Sequence, residues 1–242
     1  MLEQGRLELV LTGKVALVTG GSRGIGLAIA RRLGQMGARV AICARDTERL
    51  ARARGDLARD HIEALAVTAD VRRATEVEAL IERVENEVGP VDILVNNAGL
   101  GIFGAFHERS EQEWDTVIDT NLKSVFLVSR ALVPRMISRN KGQVINISSL
   151  AGRNAFPNGG LYCASKWGLM GLTACMAEEL RGHGIRVSAI CPGSVATEFS
   201  THSGRDLATL LQPDDVAHAV EMLVTQTPTS FISEIQMRPT QK

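Results

Sequence analysis

Short apolar runs recur along the chain at Val15–Val18, Arg39–Cys43, Ala64–Thr68, Val91–Val95, Val144–Ile147, Ile185–Ile190 and Phe231–Ile235, a spacing that predicts strands. Between them, apolar residues at i, i+3, i+4 and i+7 predict helices over Ile25–Met36, Thr47–Arg59, Ala74–Val88, Glu111–Ile137, Asn158–Leu180 and Asp214–Val224. Strands that alternate with helices in this way return parallel through right-handed crossovers, with helices covering both faces. The expected fold class is therefore α/β, a doubly wound parallel sheet. No linker, charge block, repeat or low-complexity tract interrupts residues 1–242, so one domain is expected, with residues 1–11 as an N-terminal extension. The least patterned stretch is 194–212, where Thr197, Ser200, Thr201, His202, Ser203 and Gly204 suggest a mobile surface segment. It lies beyond a strand's carboxyl end, where open α/β sheets bind ligands.

Length and composition close off alternatives to that picture. A chain of 242 residues, 45% of them hydrophobic, can bury roughly 70–75% of its unfolded surface without a disulfide or metal staple. The 27 basic side chains balance 27 acidic ones, which argues against a non-specific nucleic-acid or anionic-membrane partner. Six Phe, two Trp and one tyrosine, Tyr162, are too few for a base-stacking platform. There is no signal-peptide core, membrane-length apolar run or lipidation box, so a soluble cytoplasmic protein is expected. Cys43, Cys163, Cys175 and Cys191 form no C-x-x-C pair and no Cys/His cluster at metal-ligand spacing. They are expected as reduced, buried thiols, and no metal site is expected.

The first strand runs into Thr19-Gly-Gly-Ser-Arg-Gly-Ile-Gly26, which sets Gly20, Gly24 and Gly26 between a buried strand and an amphipathic helix. Glycine tolerates positive φ and lacks the Cβ that would block a pyrophosphate, while a helix N-terminus offers free N–H groups. The setting points to a nucleotide cradle, although the spacing departs from Gly-x-Gly-x-x-Gly. Together with Asn96-Asn-Ala-Gly99, Tyr162-x-x-x-Lys166 and Pro192-Gly193 in order, this turn makes the sequence resemble the short-chain dehydrogenase/reductase family from residue 12 to about residue 240. The resemblance implies a seven-stranded Rossmann sheet, NAD(H) or NADP(H), and catalysis by a Ser/Tyr/Lys set with an Asn. Carried over, these are Ser149, thirteen positions before the tyrosine, Tyr162, Lys166 and Asn121; Ser148 is the competitor next to Ser149.

Elementary chemistry supports the same residues. Lys166 follows Tyr162 by four positions, so a helix projects both from one face. A phenol ordinarily titrates near pH 10, and a nearby ammonium is expected to lower that value. Tyr162 would then serve as acid in carbonyl reduction and as base in alcohol oxidation. Ser149, at the carboxyl end of the strand Val144–Ile147, can donate a hydrogen bond to a substrate oxygen as charge develops. Asn121 interrupts a helical pattern with a residue of poor propensity, and the resemblance gives its backbone carbonyl a water that holds Lys166.

At the end of the second strand Ala44 is followed by Arg45, so no carboxylate stands ready for a ribose hydroxyl, and Arg23 adds a second guanidinium. NADP(H) is therefore expected over NAD(H), with Asp46 read as a helix N-cap. The resemblance surrounds the coenzyme with Gly20, Ser22, Arg23, Gly24, Ile25 and Gly26. It assigns Asp70 and Val71 to adenine, Asn97, Ala98 and Gly99 to the adenosine ribose, and Pro192, Gly193, Val195 and Thr197, beside Tyr162 and Lys166, to the nicotinamide. A cap on the helix near Ala74 stays open for Asp70, and Asn96 reads as a tie within the sheet.

Ala164, Ser165, Gly168 and Gly171, with Leu161, Leu169, Leu172 and Met176, give the predicted helix Asn158–Leu180 two packable faces. One can cover the sheet and the other meet a partner copy together with Glu111–Ile137, so a homodimer or homotetramer is expected, as the resemblance implies. Leu100, Ile102, Phe103, Phe106 and Phe156 suggest an apolar substrate wall, with Arg153 available to an acidic or carrier-linked group. The expected activity is NADPH-dependent reduction of a ketone or aldehyde, on a small 3-oxo or 3-hydroxy compound. The ending Glu234-Ile-Gln-Met-Arg-Pro-Thr-Gln-Lys242 lacks the glycine-rich tail of many 3-oxoacyl carrier-protein reductases, which form the second reading. A catalytically silent dinucleotide sensor would carry a broken Ser/Tyr/Lys set. A methyltransferase using S-adenosylmethionine would leave Tyr162-x-x-x-Lys166 unexplained.

Overall fold

A computed structural model describes residues 9–199 and 206–240. The strands β1 (Val15–Thr19), β2 (Arg39–Ala44), β3 (Ala64–Thr68), β4 (Ile93–Asn96), β5 (Gly142–Ile147), β6 (Ile185–Pro192) and β7 (Glu234–Met237) form a seven-stranded sheet in the order β3-β2-β1-β4-β5-β6-β7. Every pairing is parallel. Helices α1 (Gly24–Gln35), α2 (Thr47–Arg59), α3 (Ala74–Glu87), α4 (Glu111–Ile118), α5 (Ser124–Ser138), α6 (Gly160–Leu180) and α7 (Pro213–Val224) surround it. This is the doubly wound, Rossmann-like α/β arrangement that the alternation predicts.

Alternate strand residues supply the two halves of the core. Ala16 and Val18 are buried with Ile29 and Leu33 of α1 and Val216 and Val220 of α7. Val15 and Leu17 are buried with Leu80 and Ile81 of α3 and Leu132 and Met136 of α5. Because both faces are covered, the central strands read as continuous apolar runs rather than alternating ones. Complete burial of a side chain such as Leu17 or Ile145 contributes about 1.5–3 kcal/mol. Strand order reverses at β1, which pairs with β2 on one side and β4 on the other, and a crevice opens there at the carboxyl ends.

Two elements depart from expectation. The predicted helix Glu111–Ile137 is interrupted by a π turn, Asp119–Lys123, between α4 and α5. The turn's wider winding carries the wholly buried Asn121 to the loop after β4, where its amide binds the Leu100 backbone. The last strand lies at Glu234–Met237 rather than Phe231–Ile235. Residues 232 and 233 approach β6 through single bonds, Ser188 Oγ to Ile232 O and Ala189 N to Ser233 O, and paired register begins only at Glu234. As an edge strand it needs no fully apolar run, so hydropathy misplaces it.

Residues 1–8 of the expected N-terminal extension lie outside the described residues, as do Ser200, Thr201, His202, Ser203 and Gly204 of the segment 194–212. The described parts of that segment are tied together: Val195 bridges to Leu211, and Asp206 caps a short 3-10 turn at Leu207–Thr209. Among the described residues no helix is long and apolar enough to cross a membrane. Cys43, Cys163 and Cys191 are buried as expected, whereas Cys175 is exposed because it lies on the outer face of α6.

Candidate active site

A cavity of about 1730 Å³ opens at the carboxyl ends of the strands. Its floor is the turn between β1 and α1. Gly20 has φ +66°, and a Cβ there would come within 2.9 Å of Ala98 Cα; a Cβ on Gly26 would run into the Gly20 carbonyl oxygen. Only glycine permits this close meeting of two strand ends. The first turn of α1 has no side-chain cap and no acidic residue, so its N–H groups and partial positive charge face the cavity as a phosphate cradle would require. The shape and donor set fit a dinucleotide.

Each nucleotide contact expected from sequence, from Gly20 through Arg45, Asp70 and Asn97 to Thr197, lines this cavity. Several are already engaged within the chain. Asn97 donates from its side chain to the carbonyls of Thr19 and Gly20, so it braces the glycine turn. Asn96 donates to Asn146 and Ser129 and ties the sheet together. Asp46 caps α2 by accepting from Arg49 N at 3.0 Å. Asp70 does not cap α3, whose N-cap position is Arg73; Arg72 grips it instead, with Nε at 2.9 Å and Nη2 at 2.6 Å, and holds the carboxyl below its ordinary pKa. Arg45 is exposed at the cavity edge, while Arg23 is paired with Glu198.

Tyr162 and Lys166 lie on the inward face of α6, one turn apart. Lys166 is 5% exposed; its Nζ donates to Ile147 O at 2.8 Å and stands 5.8 Å from the Tyr162 ring centroid. Burial lowers the ammonium to a pKa of about 8. Burial likewise pushes the Tyr162 phenol up to about 12, against a hydrogen bond with the Ser149 side chain that pulls it down. The phenol thus stands above its ordinary value rather than below it: desolvation prevails, while the Lys166 ammonium donates to the Ile147 carbonyl. Of the two serines it is the Ser149 side chain that pulls the Tyr162 value down, and its Oγ accepts from Ala151 N at 3.1 Å. Asn121 stays out of the cavity. Its amide accepts from Leu100 N and donates to Leu100 O, both at 2.8 Å, and to Ser165 Oγ at 3.0 Å, joining the loop after β4 to the residue beside Lys166.

The apolar wall is narrower than expected and partly different. Phe103 and Phe156 line the cavity, but Leu100, Ile102 and Phe106 do not. Phe103 lies edge-on to Tyr162 with centroids 5.6 Å apart. Phe199, which sequence reasoning missed, stands 5.7 Å from the same ring. It falls in the unpatterned stretch, where no periodicity could single it out. Glu198 and Arg49 were missed for the same lack of a motif. Arg153 is held bidentately by Glu234, at 2.6 and 3.3 Å, and does not face the cavity.

The family model for short chain dehydrogenase matches residues 14–208. The chain is 37% identical over 226 residues to a protein named ketoacyl reductase HetN from Nostoc sp., covering 92% of this chain and 79% of the relative. Among solved structures, a metagenomic short-chain oxidoreductase in complex with NADP is 45% identical, with a TM-score of 0.85 over 96% of this chain and 100% of that one. A variant of actinorhodin polyketide ketoreductase with NADPH is 38% identical, with a TM-score of 0.87 over 93% and 95%.

Proposed function

The chain belongs to the short-chain dehydrogenase family and is an oxidoreductase, and on that premise we propose that it reduces a ketone or aldehyde with NADPH, acting on a small 3-oxo compound. The carrying observation is that Tyr162, Ser149 and Lys166 line the cavity that also holds the glycine turn and the acid-free end of β2 at Ala44 and Arg45. NADPH, when bound, supplies the hydride. Tyr162, with its phenol pushed to about 12, keeps its proton throughout the neutral range and is the donor to the carbonyl oxygen. Ser149 holds that oxygen as negative charge builds, because its bond to Pro192 O is long, at 3.5 Å, and gives way to a better acceptor. Lys166 is anchored to the carboxyl end of β5 through Ile147 O and supplies positive charge below about pH 8. Asn121 is a positioning residue that acts through Leu100 and Ser165. Phe103 and Phe199 keep water from the phenol.

Arg45 and Arg23 support the preference for a 2′-phosphate. If Arg45→Ala lowered kcat/KM for NADPH no more than for NADH, the coenzyme assignment would fail. The second reading, a 3-oxoacyl carrier-protein reductase, draws on relatives named ketoacyl reductases. Both are tested by following NADPH oxidation with acetoacetyl thioesters, free 3-oxo acids, diketones and aldehydes. Preference for the free compounds supports the first reading; preference for thioesters supports the second. Tyr162→Phe is expected to abolish turnover, and retained turnover would overturn the mechanism. The same proposal takes residues 1–242 as one domain working as a homo-oligomer in the cytoplasm, where its unpaired thiols would stay reduced.

A further inference from the structure

One carboxylate oxygen, Glu198 Oε2, is shared by two guanidinium groups from different elements: Arg23 of the glycine turn and, at 3.5 Å, Arg49 of the first turn of α2. These elements flank the carboxyl end of β2, where Ala44 and Arg45 supply no acid and Asp46 caps α2, and all three side chains line the coenzyme cavity. We propose that Glu198 is a determinant of coenzyme choice, its carboxylate occupying the place of a ribose 2′-phosphate, with Arg49 as a further phosphate-binding guanidinium beside Arg23. The inference rests on the NADPH reading above.

Glu198 is 71% exposed in its side chain, so burial does not force the pairing. Its neighbours deliver it. Thr197 lies against the glycine turn, where a Cβ on Gly24 would meet its Cγ2 at 3.3 Å, and Phe199 packs on the Tyr162 ring. With the residue on either side seated, the carboxylate between them is presented to the arginines. Arg49 also pairs with Asp46 at 3.3 Å, which fixes its guanidinium beside Glu198. A phosphate monoester offers more charge and three acceptor oxygens against the single shared oxygen of Glu198, so it displaces the carboxylate. A ribose hydroxyl cannot. Glu198 therefore weakens NADPH binding selectively and leaves NADH binding alone.

The test is the dissociation constant of each reduced coenzyme, read by fluorescence titration without substrate. Glu198→Gln keeps the side chain's length and removes its charge. NADPH is expected to bind about 2- to 10-fold more tightly to it, with NADH changed less than about twofold, as exposed ion pairs of ordinary strength would give. In that background Arg49→Gln should weaken NADPH several-fold and leave NADH unaffected. An unchanged or weaker NADPH affinity in Glu198→Gln overturns the inference, as does an Arg49→Gln change that treats both coenzymes alike. Wild-type protein that binds NADH at least as tightly as NADPH would instead overturn the coenzyme reading itself. A wild-type preference for NADPH whose ratio does not move in Glu198→Gln would overturn the inference alone.

Discussion

Tyr162 is the chain's only tyrosine, so ultraviolet titration of the folded protein reports one phenol. Its midpoint is expected near 12, and a midpoint at or below about 10 would mean that the Lys166 ammonium prevails over burial. The two groups pull stability in opposite directions with pH. The folded phenol holds its proton more tightly than the unfolded one, so its contribution is intact below about pH 10 and is lost as pH rises through about 12. Lys166 falls from 10.5 to about 8, so the buried ammonium costs stability below pH 8, and that cost disappears between 8 and 10.5. Lys166→Met is therefore expected to be inactive yet more stable at neutral pH, by on the order of 1–3 kcal/mol after losing the bond to Ile147 O. The gain should vanish by about pH 10.5; urea unfolding at several pH values measures it, and a variant less stable at pH 7 would contradict the assignment. Sequence spacing paired these two residues but could not order the causes that set their pKa values. Burial decides both values, and two of the rings packed on Tyr162, Phe103 and Phe199, are distant from it in sequence.

Elements buried on both faces, β1, β2, β4 and β5, were legible because parallel strands between helix layers leave continuous apolar runs. The glycine turn was legible for a related reason: its backbone path excludes every other residue type at Gly20 and Gly26. The π turn between α4 and α5 was not, since apolar residues recur on both sides of it and a single wider turn barely disturbs a helical period. Its one trace was Asn121 in a helical setting. That residue now carries a prediction. Asn121→Ala leaves the part-buried N–H and C=O of Leu100 without their amide partner, which should cost on the order of 1 kcal/mol in urea unfolding. Its kcat should fall with coenzyme affinity nearly unchanged, because the amide touches Leu100 and Ser165 rather than the cavity. A loss of coenzyme binding as large as the loss of kcat would place Asn121 in the nucleotide site instead.

Across the whole molecule, α6 has two contrasting faces. Tyr162, Lys166 and Leu169 turn inward, whereas Ala164, Trp167, Gly171 and Ala174 are exposed. Trp167 is 52% exposed, and Phe126 of α5 and Trp114 of α4 are 46% and 44% exposed. Both tryptophans and a phenylalanine lie in water on neighbouring helices of a chain with only nine aromatic side chains other than histidine, counting 6 Phe, 2 Trp and 1 Tyr. Large apolar side chains on small-residue helix faces mark a surface that another copy can cover. Light scattering at micromolar concentration is expected to show a dimer or tetramer, and a monomer would rule the assembly out. Phe126→Glu with Trp167→Glu should shift the protein to smaller species, because each copy would bring charge into a desolvated contact. The opposite face of the same helix holds Tyr162, so an assembly that braces α6 makes activity depend on it. The double variant should then lose activity on dilution where wild-type protein does not, whereas equal specific activity at all concentrations would show that α6 needs no support from a second copy.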